Sequence, residues 1–381
     1  MELPLSRYAF EEAAQVLTPA LLIYPDLVDA NIEATVRMAA GDPDRWRPHI
    51  KTAKLAATIR QFLQHGIRNF KCATTLELLT ACREGADDVL LAFAVTGPNA
   101  KRAAEIAALH PRTRVSVLVE SSTQIASWSG SGIGLFIDVN PGMDRTGVSQ
   151  ERADEIVKLA GEAGPLFRGL HYYDGHMSGV PPSEREQAAH AGYDQLLRAV
   201  RALTDAGFNL EEIITSGTPA APYGLLYAGF RNASFVHRIS PGTVVYNDFT
   251  SLQQLPNYGY APAALVLTTV ISHPTPRRVT CDAGHKSVSA DAGVPTCQVL
   301  GHAGLNPLKP SEEHLPIEVA ADADMPQIGD RLYLLPRHVC PTVNNFDEAL
   351  IIRSGRIDRV ERVTARGHES AVMVGEAAGA L

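Results

Sequence analysis

A chain of 381 residues that is 45% hydrophobic and 20% charged can bury one large core and a smaller second one. Its formal net charge of −8 offers no general attraction to polyanions, which excludes nucleic acid and anionic membrane surfaces as expected partners. The five cysteines, Cys72, Cys82, Cys281, Cys297 and Cys340, stand far apart with no CxxC pair, so a disulfide framework and a zinc ribbon are excluded and a reducing, cytoplasmic setting is expected.

In chain order, Met1 to Leu5 shows no basic segment leading into an apolar stretch, and no later run reaches the ~18 apolar residues of a membrane helix. Neither a signal peptide nor a transmembrane segment is expected. From Pro19 to Gly217 short β-rich runs alternate with longer amphipathic ones, the pattern of repeated βα units around a parallel sheet. Eight strands are predicted, at 20–24, 47–52, 69–74, 89–94, 115–120, 134–139, 169–173 and 212–216, with helices such as 55–64 and 183–203 between them. Eight such units predict a closed (β/α)8 barrel of the TIM type. After Phe249 the pattern changes to β-branched runs without long helices, at 264–271, 278–282, 331–335, 348–353 and 356–364, with turns marked by prolines such as Pro262, Pro274 and Pro310. The expected α/β organisation is a barrel over 18–250 and a C-terminal, mainly β domain over 251–381 that also takes residues 1–17. The Ala/Gly-rich tail, 374–381, is expected to fray.

Barrel enzymes carry their active sites at the C-terminal ends of the strands. The run Arg47-Pro48-His49-Ile50-Lys51-Thr52-Ala53-Lys54 puts Lys51 at such an end. Apolar and uncharged neighbours lower an ammonium pKa and let the amine form an imine with an aldehyde cofactor. Judged from position alone, a solvated strand-end lysine is the commoner case. Thr215-Ser216-Gly217-Thr218, after the last predicted strand, and Pro241-Gly242-Thr243, after the next helix, sit where barrels bind phosphate through backbone N–H groups. Such turns are more often only turns. Tyr246 follows closely and can add a hydroxyl or simply pack. His338-Val339-Cys340 offers an imidazole and a thiolate two residues apart, which face the same way in an extended segment. Two ligands are too few for a closed structural zinc site and leave positions open for water and a substrate oxygen.

The run from Pro48 to Lys54 resembles the cofactor-lysine motif of the D-threonine aldolase and D-serine dehydratase family, relatives of the alanine racemases. Further matches follow in the same order: Thr18-Pro19-Ala20, Asp138 with Arg145-Thr146-Gly147-Val148, Gly169-Leu170 with Tyr173 and Gly175, Pro241-Gly242-Thr243, Asp282-Ala283-Gly284 with Lys286-Ser287, and His338 through Asn344. The resemblance spans most of the chain and implies a pyridoxal-phosphate-binding barrel with a β domain. It implies Lys51 as the Schiff-base lysine, His49 and Tyr173 beside the cofactor, and Arg145 at the pyridine nitrogen, which an arginine keeps unprotonated. Thr215, Ser216, Gly217, Thr218, Gly242, Thr243 and Tyr246 become the phosphate cradle. His338 and Cys340 become ligands of a divalent metal, with the thiolate favouring zinc over manganese or magnesium. A homodimer and a small D-amino acid substrate complete what the resemblance implies.

Two departures bear on the reaction. The aldolase type carries His-x-Asp at the metal position, whereas the dehydratase type carries His-x-Cys, as here. In Tyr172-Tyr173-Asp174-Gly175-His176 the positions of two aldolase histidines are taken by Asp174 and Gly179, which leaves the displaced His176 as a substitute base or a packing residue. The expected enzyme is a lyase for D-3-hydroxy amino acids. Pro341-Thr342-Val343-Asn344 and Asp282-Ala283-Gly284 tip the reading toward retro-aldol cleavage to glycine and an aldehyde. The two departures favour the alternative, dehydration and deamination to a 2-oxo acid and ammonia. A racemase needs no metal and a non-catalytic cofactor carrier is the barrel alone, so the HxC pair and the β domain argue against both.

Overall fold

Short apolar runs followed by amphipathic helices return the chain to the same edge each time, and this makes consecutive strands parallel. The computed structural model describes residues 3–372, so the Ala/Gly-rich tail lies outside the described residues. It begins with β1 (Ala20–Ile23) and continues with β2 (Asn69–Cys72), β3 (Asp88–Leu91), β4 (Arg114–Val119), β5 (Gly134–Asn140), β6 (Val148–Ser149), β7 (Phe167–Tyr172), β8 (Glu212–Thr215) and β9 (Val236–Ile239). Strands β2, β3, β4, β5, β7, β8 and β9 lie side by side in that order, with the short β6 beside β5. Segment 46–50 bridges the two edges. Arg47 N–H donates to the Ile239 carbonyl at 2.9 Å on one side, and Lys71 N–H donates to the Pro48 carbonyl at 2.9 Å on the other. Pro48 has no N–H to extend a ladder, so the segment closes the ring without becoming a regular strand.

The remaining strands, β10 (Ala264–Thr275), β11 (Arg278–Cys281), β12 (Cys297–Val299), β13 (Leu305–Pro307), β14 (Leu315–Val319), β15 (Arg331–Pro336), β16 (Glu348–Arg353) and β17 (Arg356–Arg362), build the second sheet. Its order is β13-β14-β11-β10-β1-β16-β17, with β15 on β10 and β12 on β15. Val266, Val270, Val279, Leu315 and Ile317 belong to a core of its own.

The strand predicted at 20–24 is therefore corrected. It pairs antiparallel with β10 and parallel with β16, outside the ring. Its place in the ring is taken by β9, whose Val236-His237-Arg238-Ile239 carries too little apolar character to register as a strand. Alternation identifies a strand but not the sheet that receives it.

The two-residue strand period sorts the inward side chains of the ring into layers. Arg47, Asp88, Ser116, Arg168 and Glu212 form a buried polar layer at the N-terminal end. Two residues further along their strands, Leu90, Leu118 and Ile214 join Phe136 in a closed apolar cluster. A Cβ at Gly134 would run into the Arg168 side chain and Ser116 Oγ, so glycine there makes the room that the guanidinium fills. Above the apolar layer lie Lys71, Asp138 and His171, all buried, and above them the mouth.

Candidate active site

Segment 46–50 ends in a turn that carries Lys51, half-buried, at the mouth. Tyr246 braces this turn from below. It is fully buried, and its hydroxyl donates to the Ala53 carbonyl at 3.0 Å while meeting Thr58 Oγ1 at 2.8 Å. The Tyr246 hydroxyl, expected from sequence to reach a phosphate or to pack, is engaged beneath the lysine turn. Lys54 sits at a φ of 54° and directs its amine to Glu77 at 2.8 Å and to the Ala365 carbonyl at 3.1 Å. Lys54 is therefore a tie between the turn and the C-terminal segment. Lys51 forms no ion pair among the described residues.

The floor of the mouth holds groups that sequence reasoning passed over. Lys71 is 3% exposed, bridged in register with His49, and its Nζ lies 3.4 Å from His171 Nε2. His171 Nδ1–H donates to Asp138 Oδ1 at 2.7 Å, and Thr146 Oγ1 donates to the other carboxylate oxygen at 2.8 Å. Lys71 Nζ is also 5.5 Å from the centre of the Tyr173 ring, and Arg145 Cζ is 4.6 Å from it. Burial, followed by the charges of Lys51 and Arg145, brings the Lys71 amine down to about 7. Burial and Lys71 lower His171, and burial with Lys51 and Lys71 pushes His49 well below its ordinary value. Both imidazoles are neutral. The available signal was a lysine within Asn69-Phe70-Lys71-Cys72, a strand expected to be covered on both faces.

The two glycine loops close the opposite side. Thr215 Oγ1 engages His237 Nε2 at 2.8 Å and Ser216 Oγ meets the Tyr193 hydroxyl at 2.9 Å, so both side chains are occupied within the protein. Gly217 N–H donates to Asp174 Oδ1 at 3.0 Å, and its Cα abuts the Tyr173 ring. Gly242 backs onto the lysine segment so closely that a Cβ would collide with the His49 carbonyl. Thr218 and Thr243 each start a short helical turn, after Gly217 and Gly242. Beside the second loop, Ser240 Oγ and both polar side-chain atoms of Asn247 are buried with no hydrogen-bond partner in the protein. A polar group bound there has donors and acceptors to meet.

His338 caps the short helix Val339–Asn344, so the HxC pair stands at a helix start and not in the extended segment expected. Cys340 nevertheless reaches the mouth. Its Sγ is 3.0 Å from Thr52 Oγ1 and 3.6 Å from Thr243 Oγ1, touching both the lysine turn and the second loop. Burial opposes charge on His338, but Cys340 and Asp291, the latter 2.6 Å from Nδ1, raise it to about 9. Burial raises Cys340 in turn, while His338 and Lys51 hold its thiol below the ordinary value. Among the described residues no group of three or more His, Cys, Asp or Glu side chains converges as a metal-ligand set. The imidazole and thiolate are of the type that binds a borderline divalent ion with open positions. His176 is not gathered with these groups. It lines a separate cavity of about 330 Å³ with Gln150, Tyr172 and Gly192, against the helix Pro182–Asp205.

All five cysteines are free, and no helix among the described residues is long and apolar enough to cross a membrane. The family model for the alanine racemase N-terminal domain matches residues 23–248, and one for a serine dehydratase domain matches residues 263–352. The chain is 29% identical over 374 residues to the D-threonine aldolase of Arthrobacter sp, covering 93% of this chain and 94% of that one. It is 29% identical over 379 residues to the 3-hydroxy-D-aspartate aldolase of Paracoccus denitrificans strain Pd 1222, with 93% and 94% covered. It superposes on the crystal structure of D-threonine aldolase from Filomicrobium marinum with a TM-score of 0.84 at 26% identity, over 93% of this chain and 96% of that one. With the first family model spanning more than half of the sequence, the chain belongs to the alanine racemase-like family of pyridoxal-phosphate proteins.

Proposed function

We propose that this chain is a lyase for D-3-hydroxy amino acids, that Lys51 holds pyridoxal phosphate, that His338 and Cys340 hold a divalent metal, and that the reaction is Cα–Cβ cleavage to glycine and an aldehyde. One observation carries the reading: Cys340 Sγ lies 3.0 Å from the side chain of Thr52, the residue after Lys51. An imine-forming amine and a metal-type thiolate from different sheets thereby share one mouth. When bound, pyridoxal phosphate supplies an electron sink at Cα and the cation supplies a Lewis acid for a hydroxyl oxygen.

The chain's own residues divide the remaining work. Lys51 is the amine that exchanges with the substrate amine. Gly217, Thr218, Gly242 and Thr243 offer backbone to a phosphate, and Tyr173 with Arg145 walls the site. Aldol cleavage needs a base for the hydroxyl proton, while the Cα–Cβ electron pair stays on Cα and later takes up a proton. His49, which burial keeps neutral, is a candidate base beside the Lys51 turn, and the Lys51 amine released by exchange with the substrate is the other. The Cys340 thiolate supports a second reading, loss of the α-proton and the hydroxyl to give a 2-oxo acid and ammonia. A homodimer belongs to the same proposal and is checked by light scattering.

Borohydride reduction of the reconstituted protein, followed by peptide mapping, tests the lysine. The adduct is expected on Lys51 and absent in Lys51→Ala, and an adduct on Lys54, Lys71 or Lys286 overturns the assignment. Incubation with D-threonine, D-serine and D-3-hydroxyaspartate reads the reaction. Glycine release is expected, abolished by chelation and restored by zinc or manganese. A 2-oxo acid in its place establishes elimination, and full turnover of metal-free protein removes the metal from the mechanism.

A further inference from the structure

Lys71 has no task in the reaction just described, yet its position is costly. It is 3% exposed, forms no ion pair among the described residues, and its hydrogen-bond partner is a neutral imidazole 3.4 Å away. The other deeply buried basic groups of the ring are treated differently. Arg47, Lys54 and Arg168 each meet a carboxylate at 2.9 Å or less. A desolvated amine without an anion costs free energy, and it is kept on the face of the barrel where ligands bind.

The direction of the amine follows from its neighbours. Asp138 accepts from His171 Nδ1–H at 2.7 Å, which fixes the tautomer and leaves Nε2 as an acceptor. Lys71 therefore gives one N–H to Nε2 and keeps the others free. Those face the Tyr173 ring at 5.5 Å from its centre, the same ring that Arg145 covers at 4.6 Å and Gly217 abuts. Lys51, the loops at Gly217 and Gly242 and this group are the residues that would hold and underlie a planar aromatic cofactor.

The charged groups facing Lys71 are Lys51 from the lysine segment, Asp138 from β5, Arg145 from the loop after it, and Asp174 from the extension of β7, with the titratable imidazoles of His49 and His171 beside them. Asp174 is already occupied by the Tyr193 hydroxyl at 2.9 Å and by Gly217 N–H at 3.0 Å. Asp138 is likewise occupied, by His171 and Thr146, so Lys51, Lys71 and Arg145 face two carboxylates whose oxygens are already engaged, and a bound anion would restore the balance.

We propose that Lys71 is the floor of the cofactor site: the His171–Asp138 chain holds one of its N–H groups, the others face the aromatic ring of the bound cofactor, and its charge sets the protonation of that ring system. Lys71 is a positioning and electrostatic residue, distinct from the imine-forming Lys51. The inference rests on the pyridoxal-phosphate reading.

Wild type, Lys71→Met and Lys71→Arg are reconstituted with pyridoxal phosphate, and the visible spectrum of each is followed against pH without substrate. Removing a nearby positive charge strengthens the hold on a proton, so in Lys71→Met the pH of the spectral change is expected to rise by about one unit, tenfold in proton affinity. Lys71→Arg keeps the charge and is expected to stay near wild type. An unchanged transition in Lys71→Met overturns the proposal. Should the variants fail to fold, ε-carbon-13-lysine NMR of the wild-type protein gives the same answer. A lysine signal titrating near neutrality is expected to move when pyridoxal phosphate is added, and an unmoved signal overturns the proposal. Failure of wild type to take the cofactor on Lys51 is a separate result, which overturns the functional reading itself.

Discussion

The two ends of the barrel are made by the same strands and handle charge in opposite ways. At the N-terminal end Arg47 donates to both carboxylate oxygens of Glu212 at 2.8 and 2.7 Å and to Asp88 at 2.9 Å. Arg168 adds a 2.7 Å bond to Asp88, and Arg238 joins Glu212 at 2.8 Å and Asp44 at 2.7 Å. Each cation there has its carboxylate. At the C-terminal end, four residues beyond Arg47 along the same segment, Lys51 and the neighbouring Lys71 have none. Pairing marks the end that holds the fold together, and unpaired Lys51 and Lys71 mark the end to which the proposed ligand site belongs.

The largest test of this contrast is to break the paired end. Arg47→Met leaves Glu212 and Asp88 buried with too few donors, and one-sided removal from a buried ionic network costs about 3–5 kcal/mol. Urea denaturation of the apoprotein reads it. A loss under about 1 kcal/mol would mean that the network is not what stabilises this end.

Acid probes the same layer without a mutation. Burial raises Asp88, but Arg47 and Arg168 overcome it and hold the carboxyl well below the usual range. A folded value below the unfolded one of about 3.9 means that the contribution is fully present above about pH 4 and is lost as pH falls toward the folded value. Stability is expected to drop by about 2–3 kcal/mol over that range. In Asp88→Asn the acid limb should be flatter, as measured by denaturation midpoints at successive pH values.

At the unpaired end the sign reverses. Lys71→Met removes a desolvated amine with no anionic partner and should stabilise the apoprotein by about 1–2 kcal/mol at neutral pH. The Lys71 amine titrates at about 7 when folded and at about 10.4 when unfolded. Folding therefore releases a proton between these values, and wild-type stability rises with pH through that window. The advantage of Lys71→Met should shrink correspondingly from pH 7 to pH 10. A destabilised Lys71→Met would place Lys71 with the structural charges.

Legibility in the sequence followed a related divide. Lys51 and the loops around Gly217 and Gly242 were readable because their placement depends on local backbone: a segment end and two tight turns. What depended on distant partners was not. Ala20–Ile23 reads as a strand, but its neighbours are β10 and β16, far along the chain. Val236–Ile239 is polar because Arg238 faces the ionic layer and His237 pairs with Thr215, so the pattern that reveals a strand was overwritten by its contacts. Lys71 and His171 look incidental until β2, β5 and β7 are brought together. His176, two residues from Asp174, lines a cavity against a helix because the five-residue turn Gly175–Gly179 carries it there, and Asp174 borders the same cavity.

The smallest effect separates bracing from binding at one residue. Tyr246 was read from sequence as a phosphate ligand, whereas its hydroxyl lies under the lysine turn, on Ala53 and Thr58, in contacts that span 193 and 188 residues. Tyr246→Phe keeps the ring and its packing and removes only this hydroxyl, so the Ala53 carbonyl loses its second donor and keeps Leu55 N–H at 2.7 Å. A lost hydrogen bond of this kind costs about 1 kcal/mol, a fraction of the Arg47 effect. Affinity for pyridoxal phosphate and for unphosphorylated pyridoxal, measured on the same variant, then tells the roles apart. Bracing predicts that both fall by the same small factor, because a looser turn affects Lys51 whichever aldehyde it holds. Contact with the phosphate predicts loss for pyridoxal phosphate alone, and that outcome would put the hydroxyl of Tyr246 in the mouth and leave the turn to be held by Lys54 and Glu77.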